Sequence, residues 1–338
     1  MSSGRKLNFK NRNKIVDDNT DIVDDNTNKP RVIKLVKRIE MPKSKPSKPV
    51  AKASTRRSRV SNMVKPYVFV DTSYFIFYRY HATKVWYSKH TDSGSEDSCT
   101  IENDDFVNAF TRHFCDWKVK IAKKFKVSER DLFWFRDSPR ESLWRTPLFA
   151  EYKASREEKC NPSIGSFFKL VYDKLLDDDR MIKIDGAEAD DVAAIATRYE
   201  QKNSPERDIY VLTADTDYLQ LCNEKTKIVK LPKFEPIPVQ IKLGKEKKVV
   251  SPEIYLETKI LVGDASDEIP KVYVGCGPKI AYNMAVDREL FKKNIENHPD
   301  RLEKYLSNRK LICFDEIPED IKEKSLVRYL EVKAMTDY

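Results

Sequence analysis

Tyr67-Val68-Phe69-Val70-Asp71 is an unbroken apolar run closed by a carboxylate. Consecutive β-branched and aromatic residues without polar alternation predict a strand buried on both faces, the environment of a parallel sheet. Leu132-Phe133-Trp134-Phe135, Met181-Ile182-Lys183-Ile184 and Ile209-Tyr210-Val211-Leu212 read the same way, and Lys227-Ile228-Val229-Lys230-Leu231 reads as an edge strand. Helix-compatible segments fall between them, at roughly 104–125, 163–176 and 188–201. Strands alternating with helices imply an α/β fold with a mostly parallel central sheet covered on both faces. The polar, Ser-rich segment from His81 to Asp105 reads as an insertion loop. After Ser251 the chain reads as helical nearly to its end, interrupted by a Gly275-Cys276-Gly277 turn.

The chain has 338 residues, 63 of them basic and 54 acidic, for a net charge of +9. The balance is uneven: residues 1–66 hold 18 basic and 6 acidic groups, whereas the remainder holds 45 and 48. The tail includes a Lys/Pro/Ser run from Pro42 to Lys52 and ends in Arg56-Arg57-Ser58-Arg59. Such a composition buries too little apolar surface to offset its ordering entropy, so residues 1–64 read as a disordered basic tail suited to phosphate backbones. No apolar stretch approaches the roughly 20 residues of a membrane-spanning helix, and no apolar leader opens the chain. The six cysteines are scattered without a C-x-x-C pair. That argues against a disulfide framework or a thiolate zinc site, and for an intracellular, reducing compartment.

The residues just past each strand carry the chemistry. Tyr67–Val70 ends in Asp71, and Leu132–Arg136 ends in Asp137. Met181–Ile184 leads into Glu188-Ala189-Asp190-Asp191, and Ile209–Leu212 into Asp215-Thr216-Asp217. Ligand sites of open α/β sheets lie outside the carboxyl ends of the strands, so four strand ends deliver acids to one rim. Asp264 and Asp267 add two more, and their i,i+3 spacing places both on one helix face. Any one of these acids is also explained as a helix cap or a turn residue; the coincidence at all four strand ends is not. Clustered carboxylates repel and raise one another's pKa, and oxygen ligands without nearby His or Cys favour the hard cations Mg²⁺ or Mn²⁺ over zinc. Phosphoaspartyl chemistry needs a second Asp two residues after the first, where Asp71-Thr72-Ser73 offers a serine.

The order of these segments, with Trp144-Arg145 and Tyr152-Lys153-Ala154-Ser155-Arg156 between them and Gly263-Asp264-Ala265-Ser266-Asp267-Glu268-Ile269-Pro270 after them, resembles the 5′-nuclease (flap endonuclease) superfamily. The resemblance is in particular to phage 5′-nucleases and to the 5′→3′ exonuclease domain of bacterial DNA polymerase I. It spans about residues 66–290 and implies a PIN-like nuclease core over 65–250, a helical arch at about 138–180 and a helical DNA-binding region over 251–338. It implies one metal site around Asp71, Asp137, Glu188, Asp190, Asp191 and Asp215. A second would lie around Asp217, Asp264 and Asp267, with Asp215 between the two. The implied cofactor is two Mg²⁺ or Mn²⁺ ions. Lys153 and Asp215 are the implied catalytic residues, Lys153 reaching the scissile phosphate, with Arg145 and Arg156 clamping its neighbours. Gly275, Gly277 and Lys279 match the helix–three-turn–helix motif that grips duplex DNA and holds a monovalent cation. The implied activity is 5′→3′ exonuclease and flap endonuclease action on DNA 5′ ends and flaps, RNA-primed ones included, by a monomer in replication or repair.

Three departures accompany the resemblance. Lys271-Val272-Tyr273-Val274 places four residues before the Gly-x-Gly where three are usual, the 81–105 segment is an addition, and the basic tail is long. No sliding-clamp peptide is evident near the C-terminus. A PIN-like ribonuclease needs fewer acids and lacks the Gly-x-Gly segment, and a silent DNA-binding scaffold is not expected to keep every carboxylate. Deleting residues 1–62 is expected to weaken duplex binding mainly at low salt. The slope of log K against log[salt] should flatten by about 0.9 per lost phosphate contact, with flap preference nearly unchanged. An unchanged slope in a salt titration counts against the tail as a DNA tether.

Overall fold

Strand β1 (Tyr67–Asp71) runs parallel to β2 (Leu132–Phe135) on one side and to β4 (Ile209–Leu212) on the other. Beyond β2 lies the short β3 (Met181–Ile182), and beyond β4 lie β5 (Thr226–Lys230) and the antiparallel β6 (Glu235–Pro236). The order is therefore β3-β2-β1-β4-β5-β6. The chain builds outward in one direction to β3 and restarts at β4 on the far side of β1. The switch point falls between β1 and β4, where an open α/β sheet forms its ligand crevice. This computed structural model describes residues 64–90, 98–155 and 162–336. The basic tail, Arg156 and residues 91–97 of the expected loop lie outside the described residues.

Alternation along β1 explains why it reads as continuously apolar. Tyr67 and Phe69 pack with Phe133, Phe135, Ile182, Val192 and Tyr329 on one face. Val68 and Val70 pack with Phe75, Phe110, Phe114, Trp134 and Phe167 on the other. Helix α4 (Ala189–Asn203) and the C-terminal α9 (Glu319–Ala334) cover the first face; α1 (Thr72–His90), α2 (Asp104–Phe125) and α3 (Pro162–Leu170) cover the second. A third apolar cluster joins α5 (Pro252–Val262), α6 (Pro278–Val286), α7 (Arg288–Phe291) and α8 (Pro299–Ile312) through Ile260, Leu261, Met284, Phe291 and Ile312. Among the described residues, no helix is long and apolar enough to cross a membrane.

The fold corrects several sequence expectations. The first part of the 81–105 segment is helix, because Phe75, Ile76, Arg79, Tyr80, Thr83 and Tyr87 are buried at i, i+3, i+4 spacing and extend α1 to His90. Asn103, whose side chain accepts from the Asp105 and Phe106 amides, then starts α2. Strand β5 is flanked on both sides rather than lying at the edge. A β7–β8 hairpin (Gln240–Leu243, Glu246–Val249) occupies a stretch to which the sequence pattern assigns no element.

Asp264 and Asp267 do not share a helix face. They sit in a turn after α5, closed by Asp264–Ile269 backbone hydrogen bonds of 2.9 and 2.8 Å. Gly263 makes that turn possible. Its φ is +74°, and a Cβ there would lie 2.6 Å from the Pro270 carbonyl carbon. Gly263→Ala should therefore lower stability by at least about 1–3 kcal/mol, the cost of a strained backbone plus a clash that nothing flexible relieves. Gly244→Ala is the comparison: φ is +70° but nothing lies within 4 Å of the new methyl, so it should cost less. Urea denaturation of the two variants checks the order.

Candidate metal centre

Each carboxylate at the crevice is held by the element that delivers it. Asp71 closes β1; its Oδ1 accepts the Tyr74 amide at 3.0 Å, and its Oδ2 accepts the Thr213 hydroxyl at 2.9 Å across the switch point. Asp137, just past β2, accepts the Ser73 hydroxyl at 2.6 Å and the Ala189 amide at 2.8 Å. Thr213 also accepts the Asp215 amide, and Asp215 accepts the Asp217 amide. Asp71, Asp137, Glu188, Asp190, Asp215 and Lys153 line one cavity of about 560 Å³. Among the described residues, two acidic groupings have ligand atoms within 4.8 Å of one another: Glu188, Asp190 and Asp191, and Asp217, Asp264 and Asp267.

Counter-charges divide these acids unequally. Arg145 is 1% exposed. It donates from Nη1 and Nη2 to Asp191 at 2.8 and 2.7 Å, from Nη1 to Glu188 at 2.9 Å, and from Nε to the Leu311 carbonyl at 2.8 Å. The Trp144 indole donates to Asp191 at 2.9 Å as well. Arg145 is thus buried against Asp191 and Glu188, and neither Arg145 nor Asp191 lines the cavity, although Asp191 stays within 4.8 Å of the Glu188 and Asp190 ligand atoms. Lys153 has φ +55° and contacts Glu188 and, at 3.6 Å, Asp267. Tyr152 donates to Glu188 at 2.7 Å. Lys259, which the sequence pattern does not single out, contacts Asp217 and lies 2.8 Å from Asp264. In sequence it looks like any lysine near a helix C-terminus.

The consequences differ by site. Burial alone would raise Glu188, but Lys153 and Arg145 bring it down to about 2. Asp264 likewise falls to about 2 against its burial, through Lys259 and Ser266. Among the described residues Asp71 has no ion pair: burial, then Asp137, push it up to about 7. Asp190 is raised well above its ordinary value by burial, then by Glu188 and Asp191. The buried Tyr218 hydroxyl has no hydrogen-bond partner among the described residues and belongs to a side chain lining the same cavity. Carboxylates short of positive charge, an orphaned hydroxyl and no soft donor fit a hard divalent cation.

The described part of the expected arch packs against the body. Leu143 and Tyr152 join the third apolar cluster, Phe167 is in the second-face core, and Trp144 packs against the first. Gly275 (φ +91°) and Gly277 precede α6 with open space where a Cβ would stand, and Lys279 is exposed. Phe168, one of the aromatics of the expected arch, lines the cavity, and so does the half-exposed Phe77, which was missed in sequence because it looks like a core aromatic. A carboxyl held above its unfolded value favours the folded state most while protonated, and that contribution disappears as pH rises through the folded value. The metal-free protein should therefore lose stability between about pH 4 and about pH 7. Asp71→Asn should reduce that loss, as read by thermal melts in chelator at stepped pH.

Comparison with known proteins agrees with this geometry. Residues 66–253, more than half of the chain, match the family described as 5′-3′ exonuclease, N-terminal resolvase-like domain. A Bacillus subtilis 5′-3′ exonuclease is 30% identical over 234 residues, covering 68% of this chain and 73% of its own. DNA polymerase I of the same organism is 28% identical over 206 residues, which is 58% of this chain and 21% of that one. The bacteriophage T5 D15 flap endonuclease, solved as a pseudo-enzyme-product complex with DNA and metal ions, shares the fold. Its TM-score is 0.51 at 15% identity, covering 79% of this chain and 98% of that one. With that family model matching more than half of its length, around the acidic crevice described above, the chain belongs to the 5′-3′ exonuclease family.

Proposed function

We propose that this family member is a two-ion 5′→3′ exonuclease and structure-specific flap endonuclease acting on 5′ ends of DNA. The observation that carries the reading is the convergence of Asp71, Asp137, Asp190 and Asp215 with Lys153 on one open cavity, while none of the four acids has an ion pair among the described residues. Asp71, Asp137, Glu188, Asp190 and Asp215 would hold one Mg²⁺ or Mn²⁺, and Asp217, Asp264 and Asp267 the other. Divalent ions held there supply Lewis-acid activation of water and charge neutralisation at a phosphodiester. The 5′-3′ exonuclease and DNA polymerase I relatives, and the T5 flap endonuclease seen with DNA and metal ions, support this choice of substrate and a setting in replication or repair.

The chain's own residues divide the remaining work. Lys153 sits at the cavity wall in a left-handed conformation, which aims a compact cation from a fixed backbone. On substrate binding it would turn from Glu188 to a non-bridging phosphate oxygen and offset the charge that develops there. Phe77 and Phe168 offer ring faces for a base at the scissile nucleotide. Gly275 and Gly277 would let a duplex phosphate approach the backbone ahead of α6, with Lys279 beside it and a monovalent cation at the glycine turn. The part beyond residue 250 would then both supply Asp264 and Asp267 to the second ion and hold the duplex, and the molecule would act as a monomer.

A 5′-labelled flap, a nicked duplex and a single strand, each assayed with Mg²⁺, Mn²⁺ and EDTA, test the reading. Cleavage should require the metal and release products from 5′ ends. Asp215→Ala should abolish cleavage while flap binding remains measurable. Lys153→Ala should slow single-turnover cleavage by about 10²-fold, the order seen on removing a transition-state donor, with a much smaller loss of affinity. Activity that survives exhaustive chelation would sink the proposal.

A further inference from the structure

We propose that Lys259 is a tethered counter-cation for the second acidic cluster: its ammonium holds Asp217 and Asp264 together until a divalent ion displaces it. The inference rests on the two-ion reading above and concerns how this chain's own residues set the affinity of one of the two sites.

Lys259 lies in the last turn of α5, four residues before Gly263. Its ammonium contacts Asp217 and lies 2.8 Å from Asp264 Oδ2, and the three side chains are only 11%, 13% and 16% exposed. Asp267, the third acid of that cluster, lies 3.6 Å from Lys153. Every carboxylate of the second cluster therefore has a lysine against it. At the first site Glu188 is paired with Lys153 and Arg145, but the other four acids, Asp71, Asp137, Asp190 and Asp215, have no ion pair among the described residues. One acidic site is left short of positive charge by the fold, and its neighbour is already supplied.

This asymmetry has a direct consequence for cation binding. An ammonium and a divalent ion cannot share the same two carboxylate oxygens, because their repulsion at a few ångströms in a partly buried site is large. Binding at the second cluster must break the Lys259 contacts, whereas binding at the first breaks no ion pair of those four acids. A lysine suits the exchange better than an arginine, being a point charge on a flexible stem rather than a planar fork that fixes two hydrogen bonds. Its place in the last turn of α5 also keeps the released ammonium near the negative end of the helix dipole. The displaced lysine stays at the rim, where an incoming phosphate would meet it.

Mn²⁺ binding to the full chain without nucleic acid, followed by electron paramagnetic resonance of the free ion, tests this. The wild type should show a tighter and a weaker class of site. Lys259→Met, similar in length but uncharged, should tighten the weaker class by about ten-fold, equivalent to about 1.4 kcal/mol. The tighter class should stay nearly unchanged. Lys259→Arg should keep the weaker class weak. A second readout uses the wild type alone: amine acetylation mapped by mass spectrometry should find Lys259 protected in chelator and reactive once Mn²⁺ saturates both classes. Two classes with the same affinities in wild type and Lys259→Met, or unchanged Lys259 reactivity with Mn²⁺, overturn the role of Lys259 and leave the two-ion reading standing. Failure of the wild type to bind a second Mn²⁺ at all overturns both.

Discussion

Mutual repulsion among carboxylates packed at one end of a parallel sheet is the constraint that the rest of the structure answers. Strand geometry brings Asp71, Asp137, Asp190 and Asp215 to one cavity, because parallel strands in register all finish on the same edge. Like charges at that distance disfavour ionisation, and burial adds to the effect. The fold meets the repulsion in three ways. Arg145 takes Asp191 and part of Glu188, Lys153 and Lys259 take Glu188 and the Asp217/Asp264/Asp267 group, and the remaining acids are left for a cation that binds from outside.

Arg145 is the part of this arrangement that holds the body together. Its guanidinium joins the loop after β2, the start of α4 and the end of α8 by way of the Leu311 carbonyl. A buried ion pair of this kind contributes little net stability compared with an apolar replacement, yet removing one partner strands the other charge in a low-dielectric interior. Its value here is placement. Asp191 also accepts the Glu188 amide, so the same carboxylate that fixes Arg145 caps α4 and orients Glu188 and Asp190 toward the cavity.

The second acidic cluster depends on a different device. A turn that only glycine can adopt at residue 263, closed by the Asp264–Ile269 hydrogen bonds, presents Asp264 and Asp267 beside Asp217. The apolar cluster of α5, α6, α7 and α8 packs around that turn through Leu261, Ile269 and Val272, together with Leu143 and Tyr152. The same packing leads through Cys276, which is buried, between the exposed Gly275 and the half-buried Gly277 ahead of α6. On the proposed reading, chemistry and substrate holding would thus share one support.

Strand identity, the α/β class and the acids at the strand ends were legible in the sequence. An apolar run bounded by turn residues and a carboxylate at its end are local signals, and local spacing decides them. What the tertiary structure alone decided was which charge meets which. Arg145 and Lys153 look equally basic along the chain, but one is sealed between Asp191 and Leu311 while the other faces the cavity. Asp190 and Asp191 are adjacent in sequence, yet helix geometry points them to opposite fates. Asp264 and Asp267 have helical spacing but form a turn, because backbone bonds to Ile269 outcompete a helical continuation past Gly263. Lys259 carries no local mark at all. Charge partnership depends on contacts between residues far apart in sequence, as between Arg145 and Leu311, and no short-range pattern of residues encodes such a meeting.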